Sequence, residues 1–500
     1  MIRFHVQTPS ISGHFCPVAW RHRPVILAAL SVAALLTQTL ESQSTLAAAD
    51  GRPNIVLIMA DDMGYECVGA NGSTFYKTPH LDRLAAGGMR FDHCYSQPIC
   101  TPSRNQIMTG RYNARNYVKF GLLHPQEITF GNVMQQAGYK TCVAGKWQLQ
   151  GGFDGPTKFG FDEYCLWQLT RRPTRYPNPG LEINGKSVDY TQGEYGPDLV
   201  SDYLVDFITR HKDGPFFAYY PMILPHWPFQ PTPDSEDWDP TETKEWPRQK
   251  WNRKHFREMV AYTDKLVGKI DKTLSDLGIR DNTLLIFTCD NGTYTGITSP
   301  FQGKQVKGGK GSTPNAGTHV PMIASWPGTI PAGSISQDLI DFSDLLPTIA
   351  AAGGGRLPTD RKIDGRSFLP QLKGQPGNPR DWVFCWYERN GKRDGKVQRF
   401  ARNQTYKLYH DGRFYDIPAD ELEKKQLTPD QIDTTAREVR ARLKTVIDDI
   451  YADEKHFPYQ RAAKSQKKNN QKKNNQKKNQ KNKQKNNNQQ DNDQRPQAKQ

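Results

Sequence analysis

Two short oxygen-bearing pairs stand directly after apolar runs in this 500-residue chain. Asp61 and Asp62 follow the run 55–60, and Asp290 and Asn291 follow the run 284–288. Buried strands that end in such pairs bring them to one edge of a sheet, where open α/β sheets form their ligand crevice. Three carboxylates and an amide oxygen, with no Cys or neighbouring His in the set, suit Ca2+ or Mg2+ better than zinc. Each pair also has a plainer use, since Asp-Asp can cap a helix and Asp-Asn-Gly can close a turn. Other reactive residues lie nearby in sequence. Cys100 opens Cys100-Thr101-Pro102-Ser103-Arg104, followed by Met108-Thr109-Gly110-Arg111. Read alone, Cys100 is a nucleophile, a buried structural thiol or half of a disulfide. Lys146 follows Gly145, and Lys310 lies among glycines in 308–312. The phosphate-loop pattern fails at Lys310, because Gly311 follows the lysine and residue 304 is Lys rather than Gly. His226, in Leu224-Pro225-His226-Trp227-Pro228, is of the type best suited to donate a proton near neutral pH.

Taken together, these motifs resemble the type I sulfatases of the alkaline phosphatase superfamily. The resemblance runs from residue 53 to about 420. It passes through C-x-P-S-R and T-G-R, GKW at 145–147, PHWP at 225–228, DNG at 290–292, GGKGS at 308–312, DLLPT at 344–348 and FYDI at 414–417. It implies an arylsulfatase-like sulfuric ester hydrolase whose Cys100 is oxidised to formylglycine by a formylglycine-generating maturation system. A geminal diol at that position loses sulfate when its second hydroxyl is deprotonated, so the nucleophile carries its own release step. The resemblance assigns the cation to Asp61, Asp62, Asp290, Asn291 and modified Cys100. It assigns Arg104 to holding the diol, Lys146 and Lys310 to the sulfate oxygens, and His226 to protonation of the leaving oxygen. The implied substrate is a sulfated polysaccharide or a small aryl sulfate. Two other readings compete: a phosphonate monoester or phosphodiester hydrolase on the same scaffold, and a catalytically weak polyanion-binding protein.

The chain departs from the family pattern in two places. The usual G-K-W-H-L-G reads Gly145-Lys146-Trp147-Gln148-Leu149-Gln150, and Gln148 cannot take a proton at neutral pH. A frequent E-G-G-x-R region reads Asn315-Ala316-Gly317-Thr318-His319. His319 and Asp62 are the substitutes the sequence offers for the missing proton carrier.

These residues need a scaffold of alternating strands and helices. The runs 54–60, 216–220 and 283–288 are short, apolar and β-branched or aromatic, as buried strands are. Helical patterns occupy 80–86, 128–137 and 257–277. The alternation predicts a layered α/β domain over residues 50–378, and the resemblance implies that it is of alkaline-phosphatase type, with a large mixed sheet between helices. From about residue 381 the texture changes to short aromatic strands and a helix near 429–451. This predicts a smaller α+β unit over 379–463. The segment 171–197, with Arg171, Arg172, Arg175, Tyr176 and Tyr195, reads as a loop-like insert that could line the cleft or decorate the surface.

The termini account for most of the composition's bias. Lys and Arg number 67 against 52 Asp and Glu, a formal +15, which for a whole chain would suggest a polyanion or nucleic-acid binder. Residues 464–500 hold eleven Lys and one Arg against two Asp, a local +10. This Lys/Asn/Gln-rich stretch lacks the apolar residues that would offset its ordering entropy, so it is expected to be disordered. Residues 1–49 read as an export signal: Arg21-His22-Arg23, an apolar run at 25–36, then Ala47-Ala48-Ala49. A largely apolar run of twelve residues falls short of the roughly 20 that cross a bilayer. The mature chain is therefore expected to carry no transmembrane helix and to be periplasmic or secreted, where nucleic acid is not the expected partner. Losing Cys16 with the signal leaves seven of eight cysteines, an odd number that formylglycine formation at Cys100 would resolve.

Overall fold

The computed structural model describes residues 51–459 except 248, 249 and 251; the signal reading of 1–49 and the Lys-rich stretch 464–500 lie outside the described residues. In chain order the strands are β1 (Asn54–Ala60), β2 (Met89–Tyr95), β3 (Lys140–Lys146), β4 (Glu163–Trp167), β5 (Gly180–Ile183), β6 (Lys186–Asp189), β7 (Phe216–Pro221), β8 (Thr283–Cys289), β9 (Thr298–Phe301), β10 (Lys304–Lys307), β11 (Met322–Ser325) and β12 (Ser334–Asp341). Ten of them form one mixed sheet in the order β12-β2-β11-β8-β1-β7-β3-β4-β5-β6. Its centre, β8-β1-β7-β3-β4, is parallel throughout. Every residue of β1, β7 and β8 is buried, which explains why their sequences run continuously apolar instead of alternating.

Register turns this parallel centre into a platform. Ala60 of β1 pairs with Cys289 of β8, so the next residues, Asp61 and Asp290, emerge side by side. Asp290 N–H donates to the Ala60 carbonyl at 3.0 Å, and Asp61 N–H to that of Leu224 at 2.9 Å. At Gly145 of β3, φ is +129° and an added Cβ would lie 1.9 Å from the Pro221 carbonyl oxygen. Only glycine allows β3 to run that close to the end of β7.

The insert 171–197 is more ordered than its loop-like sequence suggests. It contains the β5–β6 hairpin, which extends the main sheet beyond β4. Asn184 (φ +45°) and Gly185 (φ +86°) close the turn, as a two-residue Asn-Gly hairpin requires.

A second sheet is antiparallel: β13 (Val383–Tyr387), β14 (Gln398–Arg402), β15 (Tyr406–Tyr409) and β16 (Phe414–Asp416). With the helix Thr434–Glu454 it buries a core that includes Phe384, Trp386, Leu443 and Ile447, and Tyr112, Ala114 and Tyr117 from the main-sheet part of the chain belong to the same cluster. The seven cysteines among the described residues are all buried and unpaired. No helix among the described residues is long and apolar enough to cross a membrane.

Candidate active site

Cys100 is the first residue of the helix Cys100–Thr109, all ten residues of which are buried. Ser103 fixes the entry to this helix: its hydroxyl donates to the Gln97 carbonyl and accepts from Gln97 N–H, each at 3.0 Å. Gly110, at φ +66°, ends the helix in the left-handed conformation usual after a helix C-terminus. Arg111 then forms a buried ion pair with Glu127 at 2.6 Å. The T-G-R motif is thus the structural lock on the Cys100 helix.

Cys100, Asp61, Asp62 and His226 each offer one ligand-type atom, and these atoms lie within 4.8 Å of one another. Arg104, one helical turn on, donates to Asp290 Oδ2 at 3.1 Å and to the Lys146 carbonyl at 3.0 Å. Lys146, at the end of β3, donates to Asp61 Oδ2 at 2.5 Å, and Lys310 donates to Asp62 Oδ2. Asn291 Nδ2 donates to Asp62 Oδ1 at 2.8 Å, and Asp62 N–H donates to Asp290 Oδ1 at 3.1 Å. His226 Nε2 lies 3.6 Å from Asp62 Oδ2. The nine residues read from sequence as catalytic or metal-binding therefore meet at one end of the parallel strands.

Two oxygens in this cluster lack partners. Asp61 Oδ1 and Asn291 Oδ1 are buried and accept no hydrogen bond. A buried acceptor without a partner costs about 1–3 kcal/mol, and a hard cation would satisfy both. The donor set is three carboxylates and an amide oxygen, with no second sulfur or imidazole pair to favour zinc, so the residues present fit a Ca2+ or Mg2+ ion.

The electrostatics show how crowded the site is. Burial, and then the neighbouring Asp61 charge, push the Asp290 carboxyl up to about 7. Burial also raises Asp62 despite Lys310. Asp61 moves the other way: burial opposes its charge, but Lys146 and the other cations outweigh it and hold the carboxyl far below its usual range. Burial raises the Cys100 thiol to about 11, so the unmodified side chain is not tuned to be a thiolate. Burial, and then Lys310, hold the His226 imidazole neutral.

The two proton-carrier substitutes fare differently. His319 is stacked between Tyr65 (4.1 Å) and Tyr95 (5.3 Å), and its Nε2 is 2.8 Å from the Asp92 carbonyl. Burial, and then Arg402, lower it to about 3. These contacts commit His319 to packing. Asp62 stays in the cluster. Gln148 borders it, with its Oε1 accepting from the Thr101 hydroxyl at 3.4 Å.

Sequence reading also missed a partner of His226. Arg175, from the insert, is buried over the Trp167 ring at 4.2 Å and ion-paired with Glu245 at 2.8 Å; its NH1 is 2.9 Å from His226 Nδ1. Basic and aromatic residues marked the insert as a cleft candidate, but nothing in sequence pointed to Glu245, seventy residues from Arg175.

Comparison with known proteins places this geometry. The sulfatase family model matches residues 53–355, and that for the C-terminal part of N-sulphoglucosamine sulphohydrolase matches 314–452. Arylsulfatase A of Bos taurus is 34% identical over 393 residues, covering 71% of this chain and 74% of the relative. N-acetylgalactosamine-6-sulfatase of Mus musculus is 35% identical over 388 residues, covering 70% and 72%. Among solved structures, Ps i-CgsB in complex with k-i-k-neocarrahexaose superposes with a TM-score of 0.66 at 27% identity, covering 81% of this chain and 93% of that one. With an alkaline-phosphatase-like sheet, a C-terminal sheet subdomain and this site, the chain belongs to the sulfatase family and is a sulfuric ester hydrolase.

Proposed function

We propose that the protein is an exported, formylglycine-dependent sulfatase acting on sulfated carbohydrate, with Cys100 as the modified residue. The carrying observation is the meeting of Cys100, two unpartnered buried oxygens and two lysines at one sheet edge. Asp61, Asp62, Asp290 and Asn291 would hold a divalent cation, Ca2+ or Mg2+, which supplies Lewis-acid neutralisation of charge when bound. The remaining roles belong to the chain's own side chains. Lys146 and Lys310 bind the sulfate oxygens, as preorganised cations around a transferring group should. Arg104 ties Asp290 to the end of β3 and so fixes the carboxylates relative to Lys146. A sulfate ester drawn to Lys310 adds the negative charge that favours a protonated His226, which then donates its proton to the leaving oxygen.

The substrate class rests on two supports. Relatives include a named N-acetylgalactosamine-6-sulfatase and a structural neighbour with a bound neocarrahexaose. The insert adds the exposed Arg172, held over the buried Trp167 ring, a cation suited to a sulfated sugar. The sequence of residues 1–49 supports a periplasmic or secreted location, with a formylglycine-generating maturation system as partner. Peptide mass spectrometry of the Cys100 segment from the native host, paired with rates on a sulfated oligosaccharide, an aryl sulfate and an aryl phosphodiester, tests this reading. The expected result is an aldehyde at Cys100 and faster desulfation than phosphodiester cleavage. An unmodified thiol in active protein, or faster phosphodiester cleavage, would overturn it.

A further inference from the structure

Lys310 sits in the loop 308–316, whose near side is tied to the main-sheet body, with Gly308 N–H donating to the Ile297 carbonyl at 2.9 Å and Gly311 N–H to that of Pro98 at 2.6 Å. Lys310 N–H donates to the Thr293 carbonyl at 3.0 Å, Gly309 N–H to Ala316 at 3.1 Å, and the Ser312 hydroxyl to Gly309 at 2.6 Å. The far side of the loop is held by the C-terminal sheet. Lys407 of β15 has a wholly buried side chain, and its Nζ donates to the Thr313 carbonyl at 2.6 Å and to Glu423 Oε1 at 2.7 Å. The Tyr409 hydroxyl bridges Glu423 Oε2 at 2.6 Å and Thr313 Oγ1 at 2.9 Å. Arg402 of β14, also buried, donates to Asn315 Oδ1 at 2.5 Å. An ion pair taken this far out of water is weak evidence for stability, because an apolar pair of similar size often serves as well. What apolar side chains cannot supply is a directional hold on a backbone carbonyl, and here that carbonyl lies three residues from Lys310.

We infer that Lys407, Glu423 and Tyr409 are positioning residues for Lys310, so that the C-terminal sheet sets the geometry of the anion-binding loop. This rests on the reading of Lys310 as a sulfate ligand. The geometry explains why a separate sheet is packed against the catalytic body at this point. A lysine on a glycine-rich loop has wide conformational freedom, and clamping Thr313 and Asn315 from outside restricts it without placing another group in the cleft.

The test measures inhibition by inorganic sulfate and kcat/KM for an aryl sulfate in the full-length enzyme. The variants are Tyr409→Phe, the double change Lys407→Met with Glu423→Gln, Lys310→Ala as reference, and Glu454→Gln as control. Glu454 pairs with Arg393 and Arg399 in the same C-terminal unit, and none of its contacts reaches the loop. The expected result is a Ki for sulfate raised about three- to tenfold in Tyr409→Phe and in the double variant, the worth of one or two hydrogen bonds, with kcat/KM falling in parallel. Glu454→Gln should lower the denaturation midpoint while leaving Ki unchanged. An unchanged Ki in Tyr409→Phe, or an equal rise in Glu454→Gln, would sink the positioning role. An unchanged Ki in Lys310→Ala would remove the sulfate role of Lys310 and this inference with it. Tyr409→Phe alone decides the matter if the double variant does not fold.

Discussion

Asp61 and Asn291 each present a buried oxygen with no partner, while Lys146 and Lys310 occupy other oxygens of the same cluster. This asymmetry makes a cation measurable without any substrate. Calcium at a hundredfold excess over its dissociation constant should stabilise the folded enzyme by about 2.7 kcal/mol. In Asn291→Ala the same addition should raise the melting temperature much less, because one ligand oxygen is gone. Equal thermal shifts in the two proteins would place the ion elsewhere. Gln148 gives the second residue-scale test. It stands where the family pattern has His, and it touches Thr101 at the mouth of the cluster. Gln148→His should add an ionisation to the pH–rate profile, between about pH 5 and 8 where histidine titrates. A profile superposable on wild type would show that position 148 takes no part in proton transfer. The residues that cluster here were legible because strand ends and contiguous motifs bring them forward. His319 looked equivalent in sequence, and only the Tyr65 and Tyr95 rings show that it serves packing.

Elements were legible where one rule governed them. Strands β1, β7 and β8 follow their apolar runs, and the long helix Arg253–Asp276 follows its apolar stripe. The helix Cys100–Thr109 escaped notice because it is buried on all sides and mixes polar with apolar residues, leaving no period to read. The β5–β6 hairpin did carry a local signal, Asn184-Gly185, which the bias of the insert toward basic and aromatic residues obscured. Packing between elements has its own test at Glu163, which begins β4. Its carboxylate accepts from Arg210 NH2 at 2.7 Å and NH1 at 2.9 Å, and lies 3.2 Å from His211 Nε2, tying the strand to the end of the helix Gly196–Arg210. Hydrogen bonding to Arg210, chiefly, lowers the carboxyl from 4.5 to about 2. A depressed acid stabilises the fold fully above its unfolded value and loses that contribution as pH falls through the folded value. Glu163→Gln should therefore cost up to about 1 kcal/mol at neutral pH, as a partly exposed pair does. The deficit should shrink as pH falls from 4.5 toward about 2. Urea midpoints of both proteins across that range would show it, and a constant gap would mean the pair contributes through packing instead.

At the scale of the whole chain, charge and catalysis separate. The formal +15 includes +10 in residues 464–500 alone, so the body that builds the site is close to neutral overall. Its cations are local and largely committed: Arg104, Lys146 and Lys310 to the carboxylates of the cluster, Arg175 to Glu245. The net positive field therefore has little to do with sulfate transfer. The lysine-dense composition of 464–500 suits attraction to a polyanion, and sulfated polysaccharide is the polyanion of the proposed substrate class. Such attraction is long-ranged and screened within about 10 Å at 0.1 M salt. It should raise the local concentration of enzyme on polymer without changing the bound geometry. Removing 464–500 should weaken retention on immobilised sulfated polysaccharide at low salt and leave turnover of a small aryl sulfate as it was. Raising the salt should bring full-length and truncated proteins together, because it screens only what the truncation removes. Equal retention at low salt would reduce the segment to a solubilising extension, and a fall in aryl sulfate turnover would tie it to the site itself.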